Sequence, residues 1–151
     1  MLAGMTKLPA FRIGNRFRTS RAGTSAIEFA MLAPVFILFL LGMIAYGIYF
    51  GASHSVQQIA ADAARTAIAG QSATERTGIV ADFIARNASD YPFIDRARLT
   101  VNAHDSTSDG NQFDVQVSYD ARNLPIWNLL PDLPLPSTTI VFRSTIRVGG
   151  I

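Results

Sequence analysis

Few residues of this chain have the types and spacing that chemistry requires. Histidine occurs only at His54 and His104, far apart in sequence. His104-Asp105-Ser106 carries the letters of a catalytic triad. A triad is a spatial arrangement that adjacent residues rarely supply, so His104 reads as an exposed strand-end residue. Asp105-x-Thr107-x-Asp109-Gly110 partly echoes a calcium loop. The position that needs a bidentate glutamate is Gln116, inside the next expected strand, which rejects an EF-hand. There is no cysteine, so disulfides, thiolate nucleophiles and cysteine-based zinc sites are excluded. Neither an HExxH pair nor a glycine-rich phosphate loop is present. The expectation is a protein with no cofactor, no metal and no catalytic residue, hence not an enzyme. One carboxylate does stand out. Glu28 lies five residues after Gly23, at the lip of a long apolar run.

That run is the element that positions Glu28. No charged residue occurs from Phe29 to Ser53, more than the roughly 20 residues that cross a bilayer. Lys7, Arg12, Arg16, Arg18 and Arg21 precede it with no acid among them. The positive-inside rule then keeps the N-terminus cytoplasmic and exports the rest. Tyr46 and Tyr49 sit near the far end, where interfacial aromatics are expected. A removed signal peptide fits less well. The run exceeds a 7–15-residue h-region, and Ala61-Asp62-Ala63, which has the letters of a cleavage site, falls far beyond it. Beyond residue 52 there are eight arginines and ten acids, so the basic balance belongs to the leader. A nucleic-acid surface needs clustered positive charge on the folded module, and none is expected here.

Three features of the span each admit two readings. Ser25 and Glu28 have the spacing of a capping box, which would place the start of a helix at Ser25. Alternatively, Glu28 is kept for a partner, because an acid costs about 2.5–3.5 kcal/mol at mid-membrane and less near the edge. Pro34 removes one backbone hydrogen bond, which gives either a tolerated kink or a place where the helix bends or melts. Gly47 and Gly51 form a GxxxG spacing that would let a second helix approach, although glycine is common in such segments.

Arg21, Gly23, Ala26-Ile-Glu28-Phe29-Ala30 and Pro34 resemble the processing region of TadE-like minor pseudopilins of tight-adherence (Flp, type IVb) pilus systems. The resemblance is specific over about residues 21–50. It implies a bacterial inner-membrane protein with one pass and a periplasmic C-terminal domain. A prepilin peptidase would cut after Gly23, making Thr24 the N-terminus and Glu28 the fifth mature residue, beside Phe29. Glu28 would then help order subunits by meeting a neighbour's new amine. The implied partners are that peptidase, other pseudopilins, the major Flp pilin, the inner-membrane assembly platform and membrane lipid. The implied role is support of fibres used for adhesion and biofilm. Other readings are a signal-anchored periplasmic binding or structural protein without a pilus role, or a type II secretion minor pseudopilin.

The expected organisation is a basic leader over 1–23, a membrane helix over 24–52 and an exported domain over 53–151. Val56, Ile59, Ala60, Ala63, Ala64, Ala67 and Ile68 follow helical spacing, so the first helix should continue to about residue 69 and stop at Gly70. From Ser25 to Ala69 it would be about 67 Å long. A second helix, over 72–90, should begin at the capping box Ser72-x-x-Glu75, bury Ile79, Val80, Phe83, Ile84 and Ala88, and end before Pro92. Strand alternation follows within 97–148. Leu99, Val101 and Ala103 form one face, then Phe113, Val115, Val117 and Tyr119, then Ile140, Phe142, Ile146 and Val148. The fold class is α+β, a long N-terminal helix with a second helix and about three antiparallel strands, as in pilins. The segment 121–137 combines Pro125, Pro131, Pro134 and Pro136 with Leu124, Ile126, Trp127, Leu129, Leu130, Leu133 and Leu135. Such a loop covers the core, meets a partner or touches the membrane, and Trp127 is its candidate partner anchor.

Overall fold

A computed structural model of the protein describes residues 21–107, 109–127 and 136–148. The basic leader before Arg21 and the stretch 128–135, which holds Leu129, Leu130, Pro131, Leu133, Pro134 and Leu135, lie outside the described residues. Helix α1 spans Arg21–Ala67 with Pro34 inside it. It includes a segment long and apolar enough to cross a membrane. Such a run favours helix because lipid offers no partner for backbone N–H and C=O groups, and a helix satisfies them internally. Since α1 already includes Arg21, Ser25 lies within the helix and is not its N-cap.

The chain divides into units at residues 1–39 and 40–151. In the first, described side chains from Gly23 to Phe39 are exposed, apart from half-buried Ala33. The second unit holds the core. Here α1 contributes Ala45, Ala52, Val56, Ile59, Ala60, Ala63, Ala64 and Ala67, one face at helical spacing. The small alanines let the helix lie close to its neighbours. Ile68, expected on this face, is 61% exposed. The helix has ended by then. The N–H of Ile68 bonds Arg65 O and that of Gly70 bonds Ala67 O, three residues back, which tightens the last turn and rotates Ile68 outward. A Cβ on Gly70 would stand 2.8 Å from the Arg76 backbone nitrogen, so this reversal has no room for a side chain.

Helix α2, Ala73–Asn87, starts as its capping signal implies. Ser72 Oγ accepts from Glu75 N–H at 3.2 Å. The Glu75 carboxylate accepts from Gln71 N–H at 2.9 Å, one residue earlier than the usual box. Val80, Ile84 and Ala88 are buried, and Ile79 and Phe83 half-buried. Strands β1 (Leu99–Asp105), β2 (Gln112–Asp120) and β3 (Thr139–Arg147) form an antiparallel sheet in chain order. The register sets Val101 against Val117, and Val117 against Phe142. Leu99, Tyr119 and Ile140 form a parallel row. Side chains alternate along a strand, so one face joins the helices in a single core and the other carries His104, Gln116 and Arg143.

Two charged residues are buried that the strand and helix patterns do not mark. Arg76 is 7% exposed. Its Nη2 pairs with Asp105 at 2.8 Å, its Nη1 donates to Gly70 O at 3.3 Å, and the guanidinium stands 5.3 Å from the Phe113 ring centre. Among the described residues, its Nε is the one buried side-chain donor without a hydrogen-bond partner, and the ring face offsets part of that loss. Asp114, 8% exposed, accepts from the Thr145 hydroxyl across the β2–β3 pair.

Candidate functional site

The residues expected to carry function group at three places. Gly23, Thr24, Glu28 and Phe29 lie along α1, all exposed. A Cβ on Gly23 would meet nothing within 4 Å, so packing within the chain does not require glycine there. Glu28 lies on the second turn of the helix as described, and Ile27, Phe29, Met31 and Leu32 around it are exposed. The chain thus presents a carboxylate on an apolar rod whose flanks it leaves uncovered. Pro34 lies inside α1, and the helix continues past it.

The second place is the far end of the apolar run. Gly47 has open space where a Cβ would stand. Gly51 does not. A Cβ there would lie 2.7 Å from Phe93 Cε2, so the Phe93 ring of the same chain fills that notch. A helix meeting the glycine pair would find Gly47 open and Gly51 covered. Phe93 is held by a turn. Ile94 N–H bonds Tyr91 O at 3.3 Å, with Pro92 second and Phe93 third, and Phe93 has φ 63°. Ser55 Oγ donates to Pro92 O at 2.8 Å, and the Tyr119 hydroxyl donates to Phe93 O at 3.1 Å. The Tyr91 hydroxyl donates to Asp62 at 2.9 Å. Burial, then that hydrogen bond and the charges of Asp62 and Asp90, push the Tyr91 phenol up to about 12. Sequence patterns did not mark Ser55, Tyr91, Phe93 or the Tyr119 hydroxyl as a set. Pro92 after a helix was the one available signal of a turn.

The third place is Trp127. Ala121, Leu124 and Ile126 are buried, so this part of the proline-rich segment covers the core. Trp127 is half-buried against it, and its indole N–H donates to Ala121 O at 2.7 Å. Asp120 caps the short turn at Ala121–Asn123. The Arg122 side chain, then its backbone N–H, hold the Asp120 carboxyl down to about 2.

The apparent catalytic letters come apart. His104 and Asp105 are neighbours in a strand and point to opposite faces, His104 exposed and Asp105 toward Arg76. Asp109 accepts from Asn111 N–H within the loop. No group of three His, Cys, Asp or Glu side chains is placed to hold a metal among the described residues.

Residues 40–151 thus form an α+β unit, and the unit before it carries an exposed carboxylate, Glu28, on an apolar helical segment. Residues 23–65 match the sequence model of the family described as TadE-like protein. The match begins at Gly23 and ends within α1, the region that carries the resemblance. No curated protein and no solved structure matches the chain.

Proposed function

We propose that this protein is a minor pseudopilin of a tight-adherence pilus system, anchored by α1 with its head outside the cytoplasm. The observation that carries this reading is Glu28 on an uncovered apolar helix, five residues after Gly23, at the start of the TadE-like match. A prepilin peptidase removes the leader after Gly23, and Thr24 becomes the mature N-terminus. An exposed acid on an apolar rod is costly in lipid unless a counter-charge meets it. The new amine of a neighbouring subunit is such a charge. Its role on this reading is structural, supporting assembly of fibres of the major pilin. The peptidase and the assembly platform act on it at the inner membrane.

Deletion of the protein in its host, with complementation, tests this role. Wild-type chain should restore surface fibres, seen by electron microscopy, and Glu28→Ala should not, although it accumulates in the membrane at normal level. Normal fibres in the deletion strain would contradict the role.

A further inference from the structure

The Tyr91–Ile94 turn is built in a costly way. Its third residue has a positive φ, where a type II turn takes glycine, yet the residue is Phe93. A left-handed backbone crowds the Cβ of an ordinary residue against the following carbonyl, which glycine would avoid. The ring does not repay this by full burial, since Phe93 stays 51% exposed. It rests on Gly51 and leaves its outer face open. Phe50 beside Gly51 is also exposed, and its ring packs with Tyr46 and Tyr49. Four aromatic residues therefore lie on or against the two turns of α1 from Tyr46 to Gly51.

That level coincides with the end of the apolar run. Counting from Phe29, the roughly 20 residues that cross a hydrocarbon core end near Ile48. Gly51 lies one turn further, at the depth where aromatic side chains settle between lipid and water. The head also packs down α1 as far as Ala45, which is buried although it belongs to the charge-free run. The core thus reaches into the charge-free run at Ala45, and the Phe93 turn meets α1 at Gly51, close to the end of that run. We propose that the Pro92–Phe93 turn is a second membrane contact, with Phe93 inserted among lipid headgroups and upper acyl chains beside the end of α1. The head is then held by two points and its orientation to the bilayer is fixed. The proposal rests on α1 being a membrane span.

The absence of cysteine makes single-site spin labelling direct. The full chain is reconstituted into phosphatidylethanolamine–phosphatidylglycerol vesicles with one label at Phe93→Cys, Phe39→Cys or Asn111→Cys. Phe39 lies in the apolar run, and Asn111 adjoins the end of β2 remote from Tyr119, which touches the turn. Collision with oxygen reports lipid, and collision with a water-soluble nickel chelate reports water. The expected result is oxygen-dominated collision at Phe39 and Phe93, and nickel-dominated collision at Asn111. A label at Pro92, also exposed, gives the same reading if Phe93→Cys does not fold. Lipid at Phe39 with nickel access at Phe93 equal to that at Asn111 would overturn the second contact alone. Nickel access at both Phe39 and Phe93 would overturn the span as well. Protection of Phe93 from both reagents, with dipolar broadening between labels, would mean that a second copy covers the turn, and would also overturn the lipid contact.

Discussion

At the residue scale, two glycines are constrained by packing within the chain. Gly51→Ala gains about 0.8–1 kcal/mol of helix propensity but places a methyl group where the Phe93 ring lies. The ring can swing, so the net effect on stability should be near zero or slightly unfavourable. In a Phe93→Ala background the same change should stabilise the head, and a double-mutant cycle should return a coupling of about 1–2 kcal/mol. Gly70→Ala should be worse, about 1–3 kcal/mol unfavourable, because the obstacle is the Arg76 backbone. Guanidinium unfolding of the full chain in detergent, followed by emission of Trp127, the only tryptophan, measures all of these. Tyr91 supplies a pH dependence. The fold favours its neutral phenol and raises the value from 10.0 to about 12. The stabilisation is therefore complete below pH 10 and is lost as pH rises through about 12. Tyr91→Phe should lower stability at neutral pH and flatten the alkaline loss, seen in Tm between pH 8 and 12.

At the element scale, Arg76 ties the start of α2 to the end of β1 and to the loop at Gly70. Arg76→Ala should cost about 2–4 kcal/mol, since it opens a cavity and frees Asp105 and the Gly70 carbonyl. Arg76→Met should cost clearly less, because an apolar side chain of similar length fills the space over Phe113 without a buried charge. Asp105→Ala should fall between, as Asp105 is partly exposed and water can reach part of the guanidinium's new deficit. The same unfolding titration ranks the three. Much of this architecture was legible in the chain. The capping letters Ser72 and Glu75 mark the start of α2, and period-two alternation gives all three strands their inner faces. Those signals are local and follow from backbone geometry. Arg76 and Asp114 were not legible, because burial of a charge depends on partners distant in sequence, Asp105 and Thr145. Ser25 misled for a related reason. The capping spelling is present, but in the full chain the helix already includes Arg21, so Ser25 stands inside it. The Phe93 turn hid behind a side chain that type II turns disfavour, and only the notch at Gly51 explains where its ring goes.

At the scale of the whole molecule, the proposed role gives the head and the apolar helix separable duties. The head is a packed core in which Arg76 pairs with Asp105 and Arg122 with Asp120. Glu28 and the residues around it are exposed and contribute nothing to that core. Variants at Gly23 or Glu28 should therefore leave the head's unfolding midpoint unchanged while altering maturation or assembly. A bulky residue at Gly23 should leave the leader attached, and Glu28→Ala should be trimmed normally yet fail in the fibre. The most direct measurement is the intact mass of the full-length protein extracted from the membranes of its host. The expected mass is that of a chain beginning at Thr24. A mass that retains the basic leader, with Lys7 and the arginines before Gly23, would contradict maturation as a pseudopilin and leave a plain membrane anchor.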